Sequence, residues 1–263
     1  MTAVNASVID HHAHRLDDAT RAASPIEPLT TALPELDVAA AYEIQQRNLE
    51  RALRAGAHLV GRKIGLTSAP MQTLLGVDEP DYGFVLDTMV VPDGGTIARS
   101  SLCAPRVEPE IAFRLHRPLR GPGVSVADVL DATDAVAAAL EIVDSRIVDW
   151  RITLPDTVAD NASSAAVVLG PWVALGDAPD LDTVVATLSL RGDVVDTGTG
   201  DAVLGHPAHA VAWLVNALAD YDTGLQPGEF IMSGSITSAV FVHAGDTATA
   251  ELSDLGRVSV SFT

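Results

Sequence analysis

Pro105-Arg106-Val107-Glu108-Pro109-Glu110-Ile111-Ala112-Phe113 and, further on, Ala139-Leu140-Glu141-Ile142-Val143 set carboxylates inside runs that otherwise have the makings of a core. Val107, Ile111 and Phe113 read as strand, and the two-residue period of a strand puts Glu108 and Glu110 on one face. Glu141 lies in the apolar run 135–145, whose only other acid is Asp144. Burying an ionised carboxylate costs several kcal/mol or more unless a positive charge compensates it. Three such groups without an evident cationic partner point to a hard divalent cation, and all-oxygen ligands suit Mg²⁺ or Mn²⁺. The competing reading is three acids on solvated strand faces, or one of them paired with Arg106 or Arg114.

Composition narrows the function classes. The chain has 263 residues, long enough for a substantial core, and 48% of them are apolar. No stretch reaches 18 uninterrupted apolar residues, so no membrane span is expected. The first residues lack the basic start and long apolar core of a secretory signal, which leads us to expect a cytoplasmic protein. A single cysteine, Cys103, excludes an intramolecular disulfide framework and reads as filler, with no histidine adjacent. The formal charge of −19 repels phosphate backbones, and no dense basic stripe offsets it, so nucleic acid is excluded as a partner. The same field repels a small anionic substrate, which would therefore need a local cation. Lys63, the only lysine of the chain, is one candidate.

Punctuation along the chain suggests an N-terminal helical segment, 1–57, and a β-rich catalytic core, 58–263, joined as one integrated domain. Residues 7–23 carry a loose helical pattern through Ile9, Leu16 and Ala19, followed by a joint containing Pro25, Pro28 and Pro34. Asp37 reads as the N-cap of a helix through Ala55, with Gly56 at its end and an apolar stripe of Val38, Tyr42, Leu49 and Leu53. From His58 strands and turns take over. A strand over 58–67 holds Lys63, a short helix over 70–75 stops at Gly76, and 78–83 reads as a turn-rich loop. A short helix is entered at Ser125, and Arg191-Gly192-Asp193 signals a hairpin with Gly-Asp at its tip. A helix spans 207–218, and strands close the chain over 229–232, 239–243, 247–252 and 257–262. The balance is α+β, with a mixed β core in place of a regular βαβ alternation.

Other polar clusters carry candidate chemistry. Lys63, flanked by Gly61 and Gly65 in an apolar strand, suits an acid–base or electrostatic role, with a snorkelling surface lysine as the alternative. The patch 156–164, which contains Asn161 and Ser163, offers small polar side chains to a ligand carboxylate, though such patches are commonly ordinary turns. Met232-Ser233-Gly234-Ser235-Ile236-Thr237-Ser238 offers hydroxyls beside a strand end, without the G-x-S-x-G of a nucleophile elbow. His11, His12 and His14 read as solvated surface near a frayed terminus. His206 and His209, at a helix start, read as capping or packing groups before metal ligands.

Taken together, these segments resemble the 2-keto-4-pentenoate (2-hydroxypenta-2,4-dienoate) hydratase family, within the fumarylacetoacetate-hydrolase superfamily. The resemblance runs from about Asp37 to Phe262. It rests on Gly61–Ser68 with Met71-Gln72, on Gly76-Val-Asp-Glu-Pro-Asp81-Tyr-Gly83 and Pro105–Glu110, and on Ala139–Arg146, Asp160–Ser163 and Leu204-Gly-His-Pro207. It implies a mixed β-roll core with flanking helices and a divalent cation, Mg²⁺ or Mn²⁺, on Glu108, Glu110 and Glu141. Lys63 and Asp81 would be the acid–base groups; the small polar side chains of Asn161, Ser163 and Ser235 read above are the expected contacts of a small 2-oxo acid, with 233–238 outside the matched segments. It also implies a homo-oligomer, a pentamer or decamer, and a downstream aldolase as a partner. The expected reaction is addition of water to 2-hydroxypenta-2,4-dienoate, giving 4-hydroxy-2-oxopentanoate in meta-cleavage catabolism of aromatic or steroid rings. The related alternative is 4-oxalocrotonate decarboxylase, and a more distant one is an acylpyruvate hydrolase with a His–Glu pair near the metal. A non-catalytic partner subunit of a paralogous enzyme is the alternative of another class.

Overall fold

The two glutamate-bearing segments form the longest strands of the protein, Arg106–Leu115 and Thr133–Val143, paired antiparallel at its centre. The computed structural model describes residues 4–263, the side chains of Met71 and Leu74 excepted. In chain order the helices are α1 (Ala6–Ala22), α2 (Leu29–Ala32), α3 (Val38–Arg54), α4 (Ala69–Leu75), α5 (Val126–Ala132), α6 (Leu154–Ala159) and α7 (Pro207–Leu218). The strands are β1 (Leu59–Gly65), β2 (Asp81–Leu86), β3 (Val90–Val91), β4 (Gly95–Ile97), β5 (Arg106–Leu115), β6 (Thr133–Val143) and β7 (Ser164–Leu169). They continue with β8 (Val173–Ala174), β9 (Val185–Leu190), β10 (Asp193–Thr199), β11 (Phe230–Met232), β12 (Val240–Phe241), β13 (Thr247–Leu252) and β14 (Gly256–Phe262).

A mixed nine-stranded sheet runs β2-β1-β11-β5-β6-β7-β3, with β12 beside β5 and β8 beside β6. A five-stranded sheet, β10-β9-β13-β14-β4, packs against it through a shared core that includes Phe113, Leu140, Leu188, Val258 and Phe262. The fold is therefore the α+β, mixed-sheet architecture expected. β6 is buried at every position but Asp134; Val136, Ala138, Leu140 and Ile142 join the core shared with the smaller sheet, while Ala139 packs on the other face with Ala112 and Met232.

The N-terminal helices make their own core, with Ile9, Ala13, Leu16, Leu29 and Ile44 packed on Ile147, Val158 and Ala159 of the later chain. This packing buries His12, so the histidine tract belongs to a formed helix and not to a frayed end. On α3 the buried stripe is Ala40, Ala41, Ile44, Gln45 and Leu49, while Leu53 is exposed. The expected stripe is thus rotated, and a polar residue, Gln45, lies inside it. The hairpin β9–β10 turns at Arg191 (φ 54°) and Gly192 (φ 91°), the two positive-φ residues a two-residue turn of this hand requires, one position earlier than the Gly-Asp expected.

The largest departure is at 78–83. Asp81 opens a strand, β2, all six residues of which are buried. Gly83 reads as a turn residue in sequence, yet in the structure it is a close-approach residue, because a Cβ there would lie 2.6 Å from the Asn161 carbonyl oxygen.

Candidate active site and metal centre

Sheet register gathers the acids. β5 and β6 place Glu108 directly opposite Glu141, and Glu110, two residues along β5, projects from the same face. One carboxylate oxygen from each of the three lies within 4.8 Å of the others. Arg114 pairs with Asp134 at 2.8–2.9 Å, which removes it as a partner for the glutamates.

Pro109 sits between the two β5 glutamates, in a central strand where proline would ordinarily cost a ladder bond. Here it costs none. The odd-numbered backbone groups of β5 face β11 and β12, and those two short strands leave a gap opposite Pro109. The segment 233–239 crosses that gap, with Ser233 N–H donating to Ile111 O and Ile236 N–H to Pro109 O. Gly234 turns there with φ 109°, pressed against Thr67, and its N–H donates to Glu110 Oε2 at 2.8 Å.

Lys63 and Asp81 come from the neighbouring antiparallel pair, in which Lys63 lies opposite Gly83 and Gly65 opposite Asp81. Both side chains rest against the bare face of Gly65. A Cβ there would collide with Asp81 Oδ1 and lie 3.2 Å from Lys63 Nζ. Lys63 is buried; its ammonium lies 3.3 Å from Glu141 Oε2 and donates to the Ala162 carbonyl at 2.9 Å. That carbonyl is presented by a left-handed turn, Asn161, Ala162 and Ser163, with φ of 58°, 49° and 56°. The expected snorkelling alternative for Lys63 is thereby excluded.

The charges in this nest are unbalanced. Burial pushes Glu108 up to about 7, with Glu141 beside it adding to the effect. Glu110 is raised well above the usual carboxylate range by burial and then by Glu141 and Glu108. Asp81 is raised by burial against the opposing pull of Lys63. Burial alone would lower Lys63, but Glu141, Asp81, Glu108 and Glu110 together hold it above its ordinary value. Glu110 Oε1, both oxygens of Glu141 and Asp81 Oδ1 are buried without hydrogen-bond partners. Glu108, half-buried, stands beside the orphaned oxygens of Glu110 and Glu141, and three converging carboxylates of this kind are what a hard dication satisfies, so this donor set fits one.

A cavity of about 740 Å³ opens over this cluster. Ser163 and Ser235 line it. Asn161 does not, because its side-chain amide is taken up by the backbone of Phe84, accepting from N–H at 2.8 Å and donating to C=O at 3.1 Å. Arg106 also lines the cavity, with its guanidinium 4.3 Å from the Trp150 ring centroid and 4.2 Å from that of Phe241. No ion pair involves Arg106 among the described residues, and its Nε is buried without a partner. In sequence Arg106 reads only as a possible partner for the glutamates; its place two residues before Glu108, on the same strand face, is the signal that it shares their site.

His206 stands outside the cavity lining and caps α7, its Nδ1 accepting from Ala208 N–H at 3.0 Å. Cys103, pushed up to about 11 by burial, is no nucleophile. Among the described residues the one apolar helical segment long enough to cross a membrane, 200–221, contains α7, and eight of the helix's residues are buried in the core.

Known proteins resemble the chain over nearly its whole length. The chain is 42% identical over 257 residues to 2-hydroxyhexa-2,4-dienoate hydratase of Comamonas testosteroni, covering 97% of each chain. It is 44% identical over 250 residues to 2-keto-4-pentenoate hydratase of Paraburkholderia xenovorans, covering 95% of this chain and 93% of that one. The structure of 4-oxalocrotonate decarboxylase from Pseudomonas putida G7, complexed with magnesium and adipate, superposes with a TM-score of 0.97 at 37% identity, each chain covered in full. The fumarylacetoacetate (FAA) hydrolase C-terminal model matches residues 55–263, a span that holds every acid of the cluster, and the chain belongs to that family.

Proposed function

We propose that the chain is a divalent-metal-dependent hydratase that adds water to 2-hydroxypenta-2,4-dienoate, giving 4-hydroxy-2-oxopentanoate. The observation that carries this reading is the convergence of Glu108, Glu110 and Glu141, the last two fully buried with oxygens that lack partners, with Lys63 and Asp81 under one cavity. Glu108, Glu110 and Glu141 would hold Mg²⁺ or Mn²⁺, which would supply Lewis acidity to the bound 2-oxo acid.

The chain's own residues manage the protons. In the first stage the dienol gives up its 2-hydroxyl proton and C5 gains one, leaving a C3–C4 double bond conjugated with the 2-oxo group. In the second, water adds its hydroxyl at C4 and C3 takes the remaining proton. Lys63 and Asp81 exchange these protons. Four acids around Lys63 keep its ammonium charged, and burial favours a proton on Asp81, so the pair holds protons ready for carbon. The hydroxyls of Ser163 and Ser235 orient the acid or the water. Arg106 supplies the local cation that a small acid needs to approach a chain of charge −19.

The decarboxylase reading requires a place for a second carboxylate. Beyond Lys63 and Arg106 no basic side chain lines the cavity among the described residues, and Asp196 adds an acid to its wall. This favours the hydratase. The product is an aldol, so an aldolase is the fitting downstream partner. We place the enzyme in the cytoplasm as a homo-oligomer, a reading supported by its lone cysteine and by exposed Val185, Val194 and Val195 on the smaller sheet.

The test is an assay of freshly generated 2-hydroxypenta-2,4-dienoate, run beside 4-oxalocrotonate, with EDTA-stripped and Mg²⁺-restored protein. Metal-dependent gain of one water by the purified chain alone is expected. Release of CO₂ from 4-oxalocrotonate with the dienoate untouched would overturn the assignment in favour of the decarboxylase. Activity only after a paralogous subunit is added would make this chain a partner.

A further inference from the structure

The strand that carries Asp81 is the edge of its sheet, and its outer side is closed by side chains in place of another strand. In an antiparallel pair alternate residues turn their N–H and C=O away from the partner strand. On β2 those are Tyr82, Phe84 and Leu86, and each is met by a side chain from elsewhere. Tyr82 N–H donates to Tyr42 Oη at 3.3 Å, and Tyr82 C=O accepts from Gln45 Nε2 at 3.0 Å. Phe84 is bonded on both groups by Asn161, and Leu86 N–H meets Met89 Sδ at 3.4 Å. Gln45 Nε2 donates a second time, to Val158 C=O of α6 at 2.9 Å, so it ties three segments at one atom. Tyr42 and Gln45 are three residues apart on α3, hence on one helix face, and Tyr42 also stacks on Tyr82 with ring centroids 4.3 Å apart.

These bonds bear on the reaction through a single covalent neighbour. Asp81 Oδ1 has no hydrogen-bond partner, and the carboxyl otherwise meets only the backbone of Gly65 and of Asp81 itself, so it follows the backbone of its own strand pair. Its position relative to Lys63 is set by the β1–β2 register and by whatever holds Tyr82. We propose that Tyr42 and Gln45 are positioning residues for Asp81, an N-terminal helix thereby completing an active site whose reacting groups all lie beyond residue 57. The inference rests on the acid–base role given to Asp81 above. It also gives buried Gln45 a purpose that an apolar stripe does not require, since a leucine there would pack as well but leave two buried carbonyls unpaired.

Gln45→Met keeps the length and removes the donor; Tyr42→Phe removes one hydroxyl and keeps the stack. Displacing a reacting group by a fraction of an ångström to one ångström slows chemistry by about ten- to a hundredfold. Each variant is therefore expected to lose about tenfold or more in kcat, with KM and Mg²⁺ affinity within twofold of the parent, because Arg106 and the three glutamates sit on β5 and β6 and not on β2. The decisive comparison repeats both substitutions in an Asp81→Asn background. If they act through Asp81, they lower kcat no further there. An equal loss in both backgrounds, or no loss in the parent, overturns the proposal. Full activity of Asp81→Asn by itself would instead overturn the acid–base reading and this inference with it. Should Gln45→Met fail to fold, Tyr42→Phe carries the same comparison.

Discussion

At the scale of single residues, the proposed reaction divides the site into groups that would hold a cation and groups that would meet the substrate. Glu108 belongs to the first, and replacing it by glutamine keeps the shape while removing one of three charges from the metal position. Glu108→Gln is expected to lower metal-dependent turnover by about a hundredfold or more and to weaken Mg²⁺ binding measured by calorimetry; unchanged affinity would remove Glu108 from the ligand set. Arg106 belongs to the second. Its guanidinium lies in a slot between Trp150 and Phe241, so Arg106→Leu should fill the slot and remove only the charge. KM should then rise about tenfold or more, the scale of one lost charge-assisted bond, with a smaller change in kcat. A fall in kcat at constant KM would place Arg106 in the proton chemistry instead. The glutamates and Lys63 are legible in sequence because a charge in an apolar run demands a reason, and here the reasons are one another. Asn161 is not legible in that way. A polar residue beside a turn reads equally well as a ligand contact or as a brace, and only the Phe84 backbone settles which atoms it serves.

At the scale of elements, the strands around the acids follow from alternation and from apolar runs, while the turn behind Lys63 does not. Three successive residues with positive φ are ordinarily written with glycine, and Asn161-Ala162-Ser163 contains none, so no sequence signal marks it. The strain is held by Asn161 on Phe84 and by the ion pair of Arg146 with Asp160 just before it, whose Nε–Oδ1 distance is 2.6 Å. The product of that strain is the carbonyl on Lys63. Ala162→Gly relieves the conformation at the price of a freer unfolded chain, and should leave stability within about 1 kcal/mol. Ala162→Val puts a β-branched residue at φ 49° and should destabilise by about 1–3 kcal/mol. Denaturant melts of the pair check this, and equal stabilities would show that the turn relaxes freely. The same comparison explains the misjudged loop at 78–83: Gly83 serves the approach of this turn, and a glycine needed for proximity looks, in sequence, like a glycine needed for bending.

At the scale of the whole molecule, the acid cluster sets the sign of the pH dependence of stability. Glu108, Glu110 and Asp81 all have raised carboxyl pKa values in the native state without metal, Glu108 reaching about 7. The native metal-free protein therefore binds more protons than the unfolded chain across the interval from the ordinary carboxylate range, about 4, up to about 7. Stability falls with rising pH wherever the native state holds the excess protons. The stabilising protonated form is thus complete below about pH 4 and is lost as pH climbs through 7, with the net charge of −19 adding repulsion of the same sign. A dication competes for the same oxygens, so its binding displaces protons and tightens as pH rises. Thermal melts of EDTA-treated protein should accordingly show Tm falling between pH 5 and pH 8. The Mg²⁺-induced rise in Tm should grow over the same interval, reaching the equivalent of about 3 kcal/mol when Mg²⁺ stands a hundredfold above its Kd. Glu108→Gln, which has no proton to lose there, should flatten both trends. A metal-free Tm that rises through this window, or a Mg²⁺ increment that is the same at pH 5.5 and pH 8, would mean that the glutamates are satisfied by something other than protons and a cation, and the metal centre would have to be given up.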